Sequence, residues 1–369
     1  MLIIDGDYPM STGAIDLNRD LTQPLEIVRS QAPDQFARNT HPDSETMASL
    51  PEMRRGGVAA SLVKVVGRIQ RPGSPLWGYR SGEGAYAVAQ AHLAYYKILE
   101  RRGLARLLKT AGELATHMAA WEQAKDYSHL PVGMVVGMEG ADPILWPEQV
   151  HEWREQGLRV VSLSHYGVST YGHGTGTGTS GGLLPAARPL LREMESAGMI
   201  LDVTHSSDAA VREAMETFQG AVLASHQNCR ALVPGERQFP DDLLKAVVDR
   251  GGVIGVSMDA WMLFRPGIKW GTHGPFRRTD MKGAAVTLED YVDHVEHICQ
   301  LAGNTRHAAI GGDTDGQGGR EAAPLGIDSV ADYQKIGDVL RRRGFGEDDI
   351  ANVLYRNWQR FFEAWLPGK

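Results

Sequence analysis

Cysteine is scarce, with only Cys229 and Cys299 in 369 residues. Two thiols exclude a disulfide-stapled framework and a Cys-rich zinc site, and no pairing between them can be read from sequence. Both are expected as buried free thiols. Long apolar runs are missing as well. No stretch approaches the roughly 18 residues of a spanning helix, and no basic segment followed by an apolar one precedes the first apolar run, so no membrane partner is expected. Charge of one sign is never massed. The 38 Lys and Arg against 45 Asp and Glu leave a net charge of −7 spread without long runs, which offers no footprint for nucleic acid or an anionic membrane. A cytoplasmic protein with a small-molecule or peptide partner is what these absences leave, and a homodimer stays open.

What is present is alternation. Short apolar runs bounded by Gly, His, Asp or Ser recur between longer amphipathic stretches, the pattern of strands alternating with helices around a parallel sheet. Eight runs are expected as strands: 2–6, 57–66, 132–140, 158–165, 199–205, 221–226, 251–258 and 307–315. Helical patterns fall between most of them, as in "ARPLLREMESAG" (187–198) and "DLLKAVVDRGG" (242–252). Eight such units predict an α/β fold of the (β/α)8 TIM-barrel type, with helical insertions between strands one and three at 15–55 and 68–130. One domain over 1–369 is expected.

Five of the runs end in a residue that can bind a metal or move a proton: Glu139, His165, His205, His226 and Asp313. In a barrel all these ends meet at one face. A lone His at a strand end is usually a hydrogen-bonded structural residue. A Glu with two His from separate strands is instead a set suited to zinc or a similar divalent ion.

The stretches "GMEGAD", "GLRVVSLSHYG", "GGLLPAARPLLREMESAGMILDVTHSSDAAV", "ASHQNCRALVPGERQFPDDLLKAVVDRGGVIGVSM" and "AAIGGDTDG" follow one another from about residue 132 to 316. In order and spacing they resemble the signatures of the membrane (renal) dipeptidase family, a zinc-dependent branch of the amidohydrolase barrels. The resemblance implies Glu139 as a carboxylate bridging two metals and His205 and His226 as ligands of the second metal. It further implies His165 polarising the scissile carbonyl, Arg237 in "GERQFPDD" holding the substrate carboxylate, and Asp313 moving the proton.

The first strand departs from that pattern. Family members usually end it with Asp-Gly-His-x-Asp, whose His and second Asp bind the first metal; this chain has Asp5-Gly6-Asp7-Tyr8-Pro9. Asp7 can still coordinate, but Pro9 has no side-chain donor. A first metal would keep Asp7, Glu139 and Asp313, an all-carboxylate set that suits Mg²⁺ or Mn²⁺ better than zinc. Otherwise the position is empty, and then Asp7, Glu139 and Asp313 need a cation or a shared proton between them. Asp16 and Asp20 could fold back as replacement ligands, or simply be solvated loop acids.

Other candidates read more plainly. "GHGTGTGTSGG" (172–182) lacks the Lys-Ser/Thr ending of a phosphate loop and is expected as a mobile rim loop. "HVEH" (294–297) spaces two His for chelation, yet a solvated helix face is the expectation. Trp261 and Phe264 serve either the core or a pocket wall. Ser164 and Ser225 adjoin His165 and His226 and, by strand alternation, should face away from the pocket that holds them. Arg237 has a plain reading too, a surface pair with Glu236 or Asp241. One zinc ion at His205, His226 and Glu139 would suffice to make hydroxide available near neutral pH. The leading function is therefore metal-dependent hydrolysis of a dipeptide or dipeptide-like amide with a free carboxylate. The alternatives are an amide hydrolase or isomerase of specialised metabolism acting on a non-peptide substrate, and a non-catalytic binding relative.

Overall fold

The computed structural model describes residues 1–31, 45–72, 74, 76–176, 178, 180–266, 286–316 and 318–368. Nine strands lie in these residues: β1 (Ile3–Tyr8), β2 (Val58–Val66), β3 (Ala105–Leu107), β4 (Val132–Glu139), β5 (Leu158–Ser162), β6 (Ile200–Asp202), β7 (Val222–Leu223), β8 (Ile254–Val256) and β9 (Ala308–Ile310). All pairings between them are parallel, in the order β1-β2-β4-β5-β6-β7, with β8 paired to β9. Every residue of β2 and of β4 is buried. That is why these strands read as continuous apolar runs: helices cover the outer face and packed side chains fill the inner one.

Backbone contacts carry the ring past the two ends of the long sheet. Ala224 bridges to Ile254, so β7 continues onto β8. On the other side Asp313 N donates to Asp7 O (3.0 Å) and Gly312 N to Asp5 Oδ1 (2.7 Å), which ties the end of β9 to β1. The approach is close enough to demand glycine. A Cβ on Gly255 would come within 2.0 Å of Ser225 O, and one on Gly311 within 2.2 Å of the same atom. The result is the expected (β/α)8 barrel, its eight strands in the expected order.

The insertions account for the rest. Residues 82–101 and 111–123 form helices, the second opened by a capping box between Thr110 and Glu113. Between them β3 pairs with the first half of β4, a ninth strand whose three residues are too few to show a period in sequence. The stretch 32–44 of the first insertion lies outside the described residues. His294 and His297 sit on the helix Leu288–Ala302, but not on a solvated face. His294 is buried, with Nδ1 accepting from Cys229 N (3.0 Å), and His297 Nε2 lies 2.8 Å from Asp241 Oδ1. The two imidazoles thus tie this helix to neighbouring segments and do not chelate. Cys229 is buried and Cys299 half-buried, both free. Among the described residues no helix is long and apolar enough to cross a membrane.

Candidate active site

The C-terminal ends of the strands deliver their polar residues to one place. His205 Nε2 and His226 Nε2 are 2.8 Å apart, and Glu139 Oε1 stands 3.2 Å from the first and 3.5 Å from the second. Two donors each about 2.0–2.1 Å from a tetrahedral ion stand about 3.3 Å apart, so these three atoms have the mutual spacing of a ligand set. His165 Nε2 is 3.6 Å from the same Glu139 oxygen, and Asp313 Oδ2 is 3.7 Å from His226 Nε2. All five side chains are buried, as is Arg237.

The ends of the strands hold these groups by unusual backbone. His205 has φ 67° and Asp313 φ 53°, and Asp315 beside it φ 64°, left-handed values that non-glycine residues seldom adopt. Such conformations cost of order 1–3 kcal/mol each and persist where the surroundings over-determine them. The Gly-rich stretch supplies part of that surrounding. Thr175 N donates to His205 O (2.8 Å) and Gly167 N to Thr175 O (2.7 Å), while a Cβ on Gly174 would lie 1.9 Å from His165 O. This segment, expected as a mobile rim, is bonded to the backbone of His205 and of Gly167 and packs closely on His165 O; residues 177 and 179 lie outside the described residues.

Electrostatics separate the groups. Burial holds the imidazoles of His165 and His205 well below their ordinary range, so both are neutral, the form in which a ring nitrogen can ligate. Burial pushes the Glu139 carboxyl up, yet the positive charges facing it, Lys64 and Arg68 among them, keep that carboxyl below its usual value. Asp313 goes the other way, raised well above the carboxylate range by burial and by Asp259, Asp7 and Glu139. Asp259, which hydrogen-bonds to Asp313, is itself pushed up to about 6 by burial.

Asp7 does not stand as a simple ligand. Its Oδ2 lies 2.7 Å from Lys64 Nζ and 2.9 Å from His226 Nδ1, and it accepts from Ser225 Oγ at 3.2 Å. Only Oδ1, buried and without a hydrogen-bond partner, is free to bind anything else. A carboxylate on the far nitrogen of an imidazole fixes the tautomer that leaves Nε2 open for a metal. Glu139, His165 and His205 form one grouping able to hold an ion; Asp7, His226 and Asp313 form a second. His226 Nε2 already faces Glu139 and His205, so an ion held there and an ion in the second grouping would compete for that residue.

Several expectations change here. Arg237 is no surface residue paired with Glu236 or Asp241: its Nη1 donates to Gln227 Oε1 (2.8 Å) and Nη2 to His226 O (2.9 Å), leaving Nε unpartnered. Ser225 meets His226 on the side of the ring away from Glu139, its Oγ 2.9 Å from Nδ1, and β7 has already ended at Leu223. Ser164 instead meets Ser206 (3.3 Å). Asp20 is spent on Thr22 and Gln23, and Asp16 lies 3.6 Å from His92 Nε2, so neither joins the ligand set. Trp261 is buried in the short helix Ala260–Leu263 and Phe264 packs partly buried against the core.

Sequence reasoning passed over Lys64, Asp202, Asp259 and Arg68. Lys64 carried a signal nonetheless, as a lysine in the all-apolar run "VAASLVKVV", where a fully buried Lys must have a partner. Arg68 lines the small cleft above the site together with Glu139, His165, Tyr166, His205 and Asp313, and its buried Nε has no partner.

Comparison with known proteins identifies the family. The family model described as membrane dipeptidase (peptidase family M19) matches residues 9–365. An uncharacterized dipeptidase of Schizosaccharomyces pombe is 27% identical over 242 residues, 65% of this chain and 54% of that protein. Dipeptidase aclJ of Aspergillus oryzae is 28% identical over 237 residues, 63% of this chain and 52% of that one. The chain thus spans about half the length of these relatives. Two solved structures share the fold over 99% of both chains: a family M19 dipeptidase (TM-score 0.75, 21% identity) and a metallo peptidase from Rhodobacter sphaeroides liganded with a phosphinate mimic of the dipeptide L-Ala-D-Ala (TM-score 0.74, 20% identity). With a match running through nearly the whole chain and a barrel whose strand ends converge as described, the chain belongs to the membrane dipeptidase family.

Proposed function

We propose that the protein hydrolyses dipeptides or dipeptide-like amides bearing a free carboxylate, with a divalent metal held by His205, His226 and Glu139. The observation that carries this reading is the convergence of two imidazole nitrogens and one carboxylate oxygen, all buried, at 2.8–3.5 Å from one another. Two nitrogens and an oxygen favour zinc. When bound, such an ion supplies Lewis acidity, polarising a carbonyl and acidifying water. The remaining work falls to side chains. Asp313, whose carboxyl burial and neighbouring carboxylates push well above the usual range, is suited to carry a proton to a leaving amine. His165, kept neutral by burial, can donate from Nε2 to the oxygen on which negative charge develops, worth roughly 3 kcal/mol by analogy with one oxyanion-hole donor.

The substrate carboxylate goes to guanidinium. Arg237 lies beside the site with Nη2 3.5 Å from His205 Nε2, but two of its nitrogens are engaged. Arg68 in the cleft wall is a second anchor, freer to turn. The dipeptide mimic bound by the Rhodobacter sphaeroides neighbour supports this substrate class. A non-peptide amide remains the second reading, favoured by the altered end of β1, where Asp7 and Pro9 remake the site. The two free cysteines suit a reducing cytoplasm.

The test is a dipeptide panel on protein purified without chelator, then stripped and reloaded. Turnover should vanish on stripping and return with zinc. Full turnover in stripped protein, or loss of activity on covalent labelling of a serine by a fluorophosphonate, would overturn the reading.

A further inference from the structure

Lys64 is buried near the C-terminal end of β2 with its Nζ 2.7 Å from Asp7 Oδ2 and 3.0 Å from Asp202 Oδ2, and it donates to Ser225 Oγ at 3.0 Å. Three partners satisfy the three protons of an ammonium. Asp202 closes the far side by accepting from Thr204 N and Ser225 N, each at 3.1 Å. Asp7 in turn accepts from His226 Nδ1, so the lysine sits one residue behind a metal-ligating imidazole. We propose that Lys64 is a built-in cation that takes the charge-balancing part of a second metal, making this chain a one-metal site whose His226 is aimed by the Lys64–Asp7 pair. This rests on the metal-dependent reading above and refines it.

Three observations converge. Pro9 offers no donor atom where the family pattern has a ligand. Asp7 Oδ2 is fully spent on Lys64, His226 and Ser225. His226 can serve one ion only, so the grouping of Asp7, His226 and Asp313 reduces to two carboxylates beside an ammonium, whose charge repels a further divalent ion. Asp202 and Asp7 face the buried Nζ and supply the counter-charge an ammonium needs. Lys64 is a positioning residue, acting on the metal through Asp7 and His226.

Metal equivalents decide the matter without reference to turnover. Zinc is titrated into stripped wild-type, Lys64→Arg and Lys64→Met proteins by calorimetry, with circular dichroism to confirm folding. Wild type should bind one equivalent. Lys64→Met, which keeps the bulk of the stem but not the charge, should either take up a second equivalent or bind its one at least tenfold more weakly, and Lys64→Arg should stay closer to wild type. Two equivalents of similar affinity in wild type would overturn the proposal while leaving the hydrolase reading intact. None at all would sink both. A folded Lys64→Met with unchanged stoichiometry and affinity would reduce Lys64 to packing. Should Lys64→Met fail to fold, the wild-type stoichiometry still decides.

Discussion

Two clusters of buried charge stand back to back at the strand ends, and they are built on opposite principles. One, of Glu139, His165, His205 and the Nε2 face of His226, brings donors together with no cation of their own among them, and both His165 Nδ1 and His205 Nδ1 lack partners. The other, of Asp7, Lys64, Asp202 and Ser225, closes on itself through an ammonium. Uncompensated buried charge costs several kcal/mol, so the first arrangement persists only where binding something compensates it; the second already holds its own counter-ion, with Asp7 Oδ1 its one oxygen left without a partner. The first is therefore where a ligand acts, and the second is scaffolding that aims it.

The largest expected break of this contrast is on the open side. His226→Ala removes a donor shared by both clusters and should abolish metal binding, with turnover falling by more than the 10–100-fold that outer partners typically cost. Ser225→Ala, which touches only the far nitrogen of the same ring, should lose at most about tenfold. Elemental analysis with kinetics on both variants checks the pair, and equal losses would erase the distinction between the clusters.

On the closed side the effect should appear in stability. Lys64→Met leaves Asp7 and Asp202 buried without their counter-ion and should cost the stripped protein about 3–5 kcal/mol in denaturant unfolding. Glu139→Gln removes a charge from a cluster of neutral rings and should cost the stripped protein little. Equal destabilisation by the two variants in stripped protein would show that both clusters are self-satisfied.

A control away from both is His294. Its buried imidazole is held down to about 3 mainly by burial, against an ordinary value of 6.5. Because the folded value is depressed, the unfolded chain takes up the proton first. Wild type should therefore lose stability relative to His294→Gln as pH falls from about 6.5 toward 3, by about 1.4 kcal/mol for each unit between. The stability difference followed across that range checks it, and a pH-independent difference would contradict the burial argument.

The smallest effect concerns the substrate anchors. Arg237→Lys should raise KM for carboxylate substrates several-fold with little change in metal content, as one charged nitrogen replaces a planar fork. Arg68→Lys should do the same if both guanidiniums hold the carboxylate. Unchanged KM in both would move the carboxylate elsewhere.

The sequence by itself determined the eight strands and their order, because parallel strands buried on both faces read as apolar runs ended by polar residues. It also brought Glu139, His165, His205, His226 and Asp313 to attention, since each ends such a run and a barrel gathers those ends. The departure at Asp7 and Pro9 was legible as a missing ligand, together with the need for a cation or proton in its place. Which cation was not legible. Lys64 meets Asp202 across 138 positions of sequence and Ser225 across 161, and Ser225 meets Asp7 across 218. No local periodicity reports contacts of that range. Tertiary structure alone decided that His294 is buried, that Ser225 meets His226 on the side of the ring away from Glu139, and that the two nitrogens of Arg237 reach Gln227 and His226. Each depends on where closure of the ring sets one strand end against another, and local sequence pattern carries no record of that distance.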